Sequence, residues 1–235
     1  PLVSLSDILH NSVAICEQVN QLCRPLEHFT HYMQQGYYPF GAEGFATYNQ
    51  RLENTVDLLL NIELPQLRKV DIGNIRKLKA LLSVLASEVP MLVDTAKLST
   101  LLGISRNTLL AYLEYLDEAK LIKRLYSDDL SVKKMQKPDK ILMDNCNLLK
   151  VLALKEPNIG TLRETFFCNQ LGYQHQVEYS KQGDFLIDHQ ITFEIGGQAK
   201  EGKQVAAVEN AYIVADDIEY SYGNKLPIWL FGLLY

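Results

Sequence analysis

The sequence lacks any apolar run near the roughly 18 residues a membrane span requires, so no transmembrane helix is read from it. It also lacks a C-x-x-C pair: Cys16, Cys23, Cys146 and Cys168 are scattered, and no basic-then-apolar leader precedes them. Reduced thiols in a cytoplasmic chain are therefore expected, not a disulfide framework. No repeat or low-complexity stretch occurs. Nor is there a basic excess, since the formal net charge of -5 argues against a chain that coats nucleic acid indiscriminately. What is present is a globular composition, 47% hydrophobic and 22% charged over 235 residues, which excludes the disordered and coiled-coil classes and leaves room for two domains. The chain opens on Pro1 and not on Met, and it reads as an excerpt of a longer protein.

Helical periodicity dominates the first third. Leu5, Ile8, Leu9, Val13 and Val19 recur at helical spacing, and Leu52, Val56, Leu59 and Leu60 line a helix from Tyr48 that Glu63-Leu64-Pro65 is expected to end. Asn74 is read as the cap of a helix carrying Leu78, Leu81, Leu82 and Leu85, closed by Pro90. Thr95 to Leu102, the turn Gly103-Ile104, and a helix capped by Ser105 and carrying Leu109, Leu113 and Leu116 have helix-turn-helix spacing. Leu121 to Tyr126 and Lys140 to Met143 then read as the strands of a wing. Beyond Asn147 a helix from about Leu162 to Leu171 alternates with strands near Asp184, Ile191 and Ala211. The expected fold class is α+β: a helical lid-like segment over 1–65, a winged helix-turn-helix over 66–145, and an α/β domain over 146–235.

Base-edge contact suits Arg106, Asn107 and Thr108 at the start of the second helix of that pair, and phosphate contact suits Lys133, Lys134 and Lys137 on the wing. From Lys120 to Lys140 seven basic residues face three acidic ones. Glu114, Asp117 and Glu118 would repel phosphates if they faced a duplex, so DNA and a protein partner both stay open. His28 and His31 lie three apart on a helix without an evident third ligand. The run Tyr37-Tyr38-Pro39-Phe40 reads as packing sooner than as a base-stacking platform.

Asp188-His189-Gln190 reads as a hairpin loop between Gly183-Asp184-Phe185-Leu186-Ile187 and Ile191-Thr192-Phe193-Glu194-Ile195. Pairing Ile187 with Ile191 sets Phe185 opposite Phe193 and Asp184 opposite Glu194, whereas a one-residue slip would pair apolar with polar faces. Opposed carboxylates repel unless something positive lies between them. Magnesium, which takes one or two carboxylates plus phosphate oxygens and water, would serve, with Glu164 as a third carboxylate. Lys181 or Lys200 would serve as a plain counterion.

These residues resemble bacterial AAA-type ATPases whose ATPase domain is followed by a winged helix and a nuclease-like domain of the P-D-(D/E)-x-K type. The resemblance is carried by Gly36-Tyr37-Tyr38-Pro39-Phe40, Leu98 to Arg106, Tyr112-Leu113, Lys137-Pro138-Asp139-Lys140, Gly160 to Phe167, Gly183-Asp184-Phe185 and Phe193-Glu194-Ile195-Gly196. It implies a restriction-endonuclease-like final domain, an ATPase core upstream that would bind ATP and magnesium, and a DNA or protein partner for the winged helix. No cofactor is expected in this fragment itself, apart from magnesium at Asp184 and Glu194 in the alternative of a working nuclease. In such nucleases a lysine stands two positions after the glutamate, and here that position is Gly196. Lys200 is four further on, about 13 Å along an extended strand, so a domain with little or no cleavage is expected. Gly197 to Lys203 matches G-x-x-x-x-G-K, but Gln204 stands where Ser or Thr would bind magnesium, and the loop is read as a decoy.

Overall fold

The computed structural model describes residues 3–44, 46–68, 72–127 and 137–234. In chain order the elements are α1 (Leu5–Leu22), α2 (Pro25–Gln35), α3 (Tyr48–Leu58), α4 (Leu64–Arg68), α5 (Ile72–Glu88), β1 (Met91–Leu92), α6 (Thr95–Leu102), α7 (Arg106–Glu118), β2 (Ile122–Leu125), β3 (Lys140–Met143), α8 (Cys146–Leu152), α9 (Ile159–Leu171), β4 (Val177–Tyr179), β5 (Phe185–Ile187), β6 (Ile191–Gly196), β7 (Ala211–Ala215) and β8 (Lys225–Pro227). The chain is α+β. It divides into two compact units, one of residues 34–157 and one joining residues 1–33 to 158–235. These units do not follow the three segments expected from sequence: the first helices belong with the last third of the chain, because α1 packs on the terminal 3-10 helix Ile228–Leu233. No helix among the described residues is long and apolar enough to cross a membrane.

In the 34–157 unit, α5 packs on α6, α8 and β3. Its Leu78, Leu81, Leu82 and Leu85 are buried, as are Leu109, Leu113 and Leu116 of α7, so the helical stripes read from sequence are the core faces. β2 and β3 pair antiparallel, Ile122 opposite Met143 and Leu125 opposite Lys140, and β1 adds a third strand on the far side of β3. Pro65 does not end the helical run. The backbone widens into a π-turn over Leu59–Glu63 and resumes as α4. Proline has no N–H to donate, and a wider turn accommodates the carbonyl it leaves unpaired.

The other unit is built on a five-stranded mixed sheet of order β4-β5-β6-β7-β8, antiparallel through β6 and parallel from β6 to β8. The β5–β6 register is the expected one, Ile187 opposite Ile191 and Phe185 opposite Phe193. Asn158 caps α9 through the amide of Gly160, and α9 lies against β6. Phe167 of α9 meets Phe185, Phe193 and Phe231 with ring centroids 5.4, 5.0 and 4.8 Å away, which makes these rings the centre of the core.

Candidate functional site

The α6–α7 pair is shaped by its caps. Asp94 accepts the amides of Ala96 and Lys97, Gly103 ends α6 in the left-handed region at φ 59°, and Ser105 accepts the Thr108 amide to start α7. Arg106 and Asn107 are exposed on the first turn of α7. Thr108 is half-buried, with its hydroxyl 2.8 Å from the Ser105 hydroxyl, which occupies it in the cap. Two of the three carboxylates that would oppose phosphates are engaged: Asp117 accepts from Arg124 Nε at 3.0 Å, and Glu118 pairs with Arg68, whose guanidinium also lies over the Tyr115 ring. Glu114 is exposed. Asp139 closes the base of the β2–β3 connection by accepting the Ser127 amide and hydroxyl, each at 2.9 Å. Lys137 is half-buried beside it in sequence, and Lys133 and Lys134 lie outside the described residues.

In the sheet unit the expected carboxylate pair is only partly assembled. The β5–β6 ladder stops one residue short of Asp184 and Glu194. Asp184 instead donates its amide to the Phe193 carbonyl at 2.8 Å and accepts the Ile195 amide on Oδ2 at 2.6 Å, so its carboxylate substitutes for a ladder hydrogen bond. Glu194 is 2% exposed, and Lys200 Nζ reaches its Oε1 at 2.8 Å while Oε2 has no hydrogen-bond partner. Lys200 thus folds back, against the extended-strand distance reckoned from sequence. Gly196 and this fold-back are coupled: a Cβ at position 196 would sit 2.7 Å from Cγ and 2.8 Å from Cβ of Lys200. The glycine at position 196 thus makes room for the Lys200 stem. Glu164 is half-buried on α9. No group of three or more His, Cys, Asp or Glu placed to hold a metal ion occurs among the described residues, so Glu164 does not join Asp184 and Glu194 in such a group.

Residues 203–209 form turns with no helix, and Lys203 pairs with Glu201 at 2.7 Å on the surface. That geometry offers phosphates no helix N-terminus.

A third cluster gathers the aromatic run of Tyr37 to Phe40 at the end of β3. Asn147 Oδ1 accepts from Tyr48 Oη at 2.6 Å and from the Tyr37 amide at 2.9 Å, and Asn145 Nδ2 donates to Tyr38 Oη at 3.0 Å. Tyr38 stacks on Phe40 at 5.4 Å, so these rings pack on one another and on the 144–147 turn.

The family model for a domain of unknown function, DUF8612, matches residues 26–158, more than half of the chain. The chain belongs to this family. No curated protein and no solved structure matches it. The DUF8612 match includes α6, α7 and the aromatic cluster, and it ends before Glu194 and Lys200.

Within the DUF8612 region, Asp144 is a buried carboxyl that sequence reasoning missed; its only signal was the polar Asp144-Asn145 pair directly after an apolar strand. It is 7% exposed, and burial pushes its carboxyl above the usual carboxylate range, against the opposing pull of Asn145, Lys123 and Lys120. A carboxyl raised in the folded state contributes stability that is complete below its unfolded pKa and is lost as pH rises through the folded one. Asp144→Asn is therefore expected to melt above wild type at pH 7 and to match it near the unfolded carboxyl pKa of about 4. A variant that melts below wild type at pH 7 would show that the charged form is the one this turn requires.

Proposed function

We propose that this chain is the DNA-recognition region of an AAA-type ATPase, in which residues 72–143 form a winged helix and the mixed sheet keeps a nuclease-like fold with little or no cleavage. The observation that carries the reading is the first turn of α7, where Arg106 and Asn107 are exposed while Asp117 and Glu118 are engaged by Arg124 and Arg68. Arg and Asn are the residues that read guanine and adenine edges in the major groove, and a recognition helix uses its N-terminal residues for this. The order of α6, its turn, α7 and the β2–β3 pair supports the winged-helix assignment. The ATPase core would lie outside this chain and would bind ATP and magnesium there.

A mobility shift of the whole chain on duplex DNA tests this. Binding is expected at about 50 mM salt and should weaken steeply by about 200 mM. Arg106→Ala should cost about tenfold in affinity, and Lys133→Glu with Lys134→Glu should flatten the salt slope. Absence of binding at low salt would reject DNA and leave a protein partner, for which the exposed Leu92 and Leu101 offer an apolar surface.

A second reading, a magnesium-dependent nuclease using Asp184 and Glu194, is favoured by one observation, the return of Lys200 to Glu194. The donor set fits a divalent cation poorly: Asp184 Oδ2 is held by an amide and Glu194 Oε1 by Lys200, which leaves Glu194 Oε2 as the unengaged oxygen of the glutamate. The non-catalytic reading is preferred on that ground.

A further inference from the structure

The sheet unit contains a cavity of about 220 Å³ that no role above employs, bounded by the end of α1, the start of α2, α9 and the terminal 3-10 helix. Its walls are aromatic. Phe29 meets Phe166 edge-on at 4.8 Å, Tyr32 meets the same ring edge-on at 5.8 Å, and Trp229 contributes an indole whose N–H is already given to the Ile218 carbonyl at 3.2 Å. No Asp, Glu, Lys or Arg lines it among the described residues, and His28, which does, is an exposed residue open to water, which disfavours a ligand that must bury phosphate or carboxylate inside. Cys23, His28 and Gln170 supply polarity, and Gln170 is the amide among them. Its amide nitrogen donates to Tyr32 Oη at 3.2 Å and to Asn169 Oδ1 at 2.9 Å, so Oε1 is the atom it has left to offer, and it can only accept.

We infer that this cavity binds a small, uncharged, planar aromatic molecule that carries one N–H or O–H donor for Gln170. The volume supports a ligand of one or two rings: an apolar cavity of about 150 Å³ takes benzene, and drug-sized sites begin at about 300 Å³. The aromatic walls suit a flat ring approached by edges and faces. The acceptor sets the selectivity, because a ligand without a donor leaves a desolvated carbonyl oxygen unsatisfied.

The test uses the whole chain with 5-fluorotryptophan in place of tryptophan; Trp229 is the single tryptophan, so one fluorine resonance reports the cavity wall. Indole and 1-methylindole serve as matched probes that differ in the N–H. Indole should shift the resonance saturably, and 1-methylindole should bind at least about 10-fold more weakly. Gln170→Leu should abolish the preference, and its unliganded resonance shows whether the fold persists. Should Gln170→Leu fail to fold, the two probes on the unmodified chain still decide the matter. Absence of a saturable shift, or equal affinity for both probes, would overturn the assignment.

Discussion

Phe167→Ala is expected to destabilise the sheet unit by about 3–5 kcal/mol. Phe167 is fully buried and touches rings from β5, β6 and the terminal 3-10 helix, so truncation opens a void that three separate elements would have to move to fill. Phe193, one of those rings, directly precedes Glu194, and the loss therefore falls on the strand that carries the buried carboxylate. Urea titration followed by Trp229 emission reads this unit selectively, since the only tryptophan lies in it. Phe167→Leu, which retains most of the volume, should cost much less. A midpoint shift worth under about 1 kcal/mol for the alanine variant would mean that the ring cluster is not the centre of this core.

The parts of this molecule that were legible in sequence are those governed by short-range rules. Ser105 and Gly103 announced the start of α7 and the end of α6, because an N-cap hydroxyl and a left-handed C-cap act within a few residues. The β5–β6 register followed from alternation, which admits one pairing that buries both Phe185 and Phe193. Where an outcome depended on several distant groups, sequence reasoning failed. Pro65 looked like a stop because a π-turn cannot be read from periodicity. Strand β1 is two residues long and gives no alternation to detect. The joining of α1 to the sheet unit rests on packing across most of the chain. Lys200 was one of two counterions the sequence offered the pair, but counting residues along an extended strand could not show that it reaches; the bend after Gly196 and the space left by its missing Cβ bring the ammonium to Glu194.

That last contact carries the other large expected effect. Lys200→Met should destabilise the sheet unit by about 2–3 kcal/mol, because Glu194 would remain buried with Oε1 deprived of its cation and Oε2 already without a partner. The figure sits below that for a fully enclosed pair because the Lys200 side chain is 35% exposed. Glu194→Gln combined with Lys200→Met should recover most of the loss, since an uncharged pair in the same volume often matches a buried ion pair in stability. The same variants separate the two functional readings. If Glu194 and Lys200 are a structural pair, the double variant folds, and neither it nor the unmodified chain cleaves single- or double-stranded DNA in magnesium or manganese. If they are catalytic, the unmodified chain cleaves, and Asp184→Ala and the stable double variant both lose the activity. Placing a lysine at position 196 sharpens the point: its Cβ collides with the Lys200 stem from Cβ outward, so Gly196→Lys alone should unfold more readily than Gly196→Lys with Lys200→Gly. The two positions are then alternative sources of one positive charge, and the sheet accommodates only one at a time.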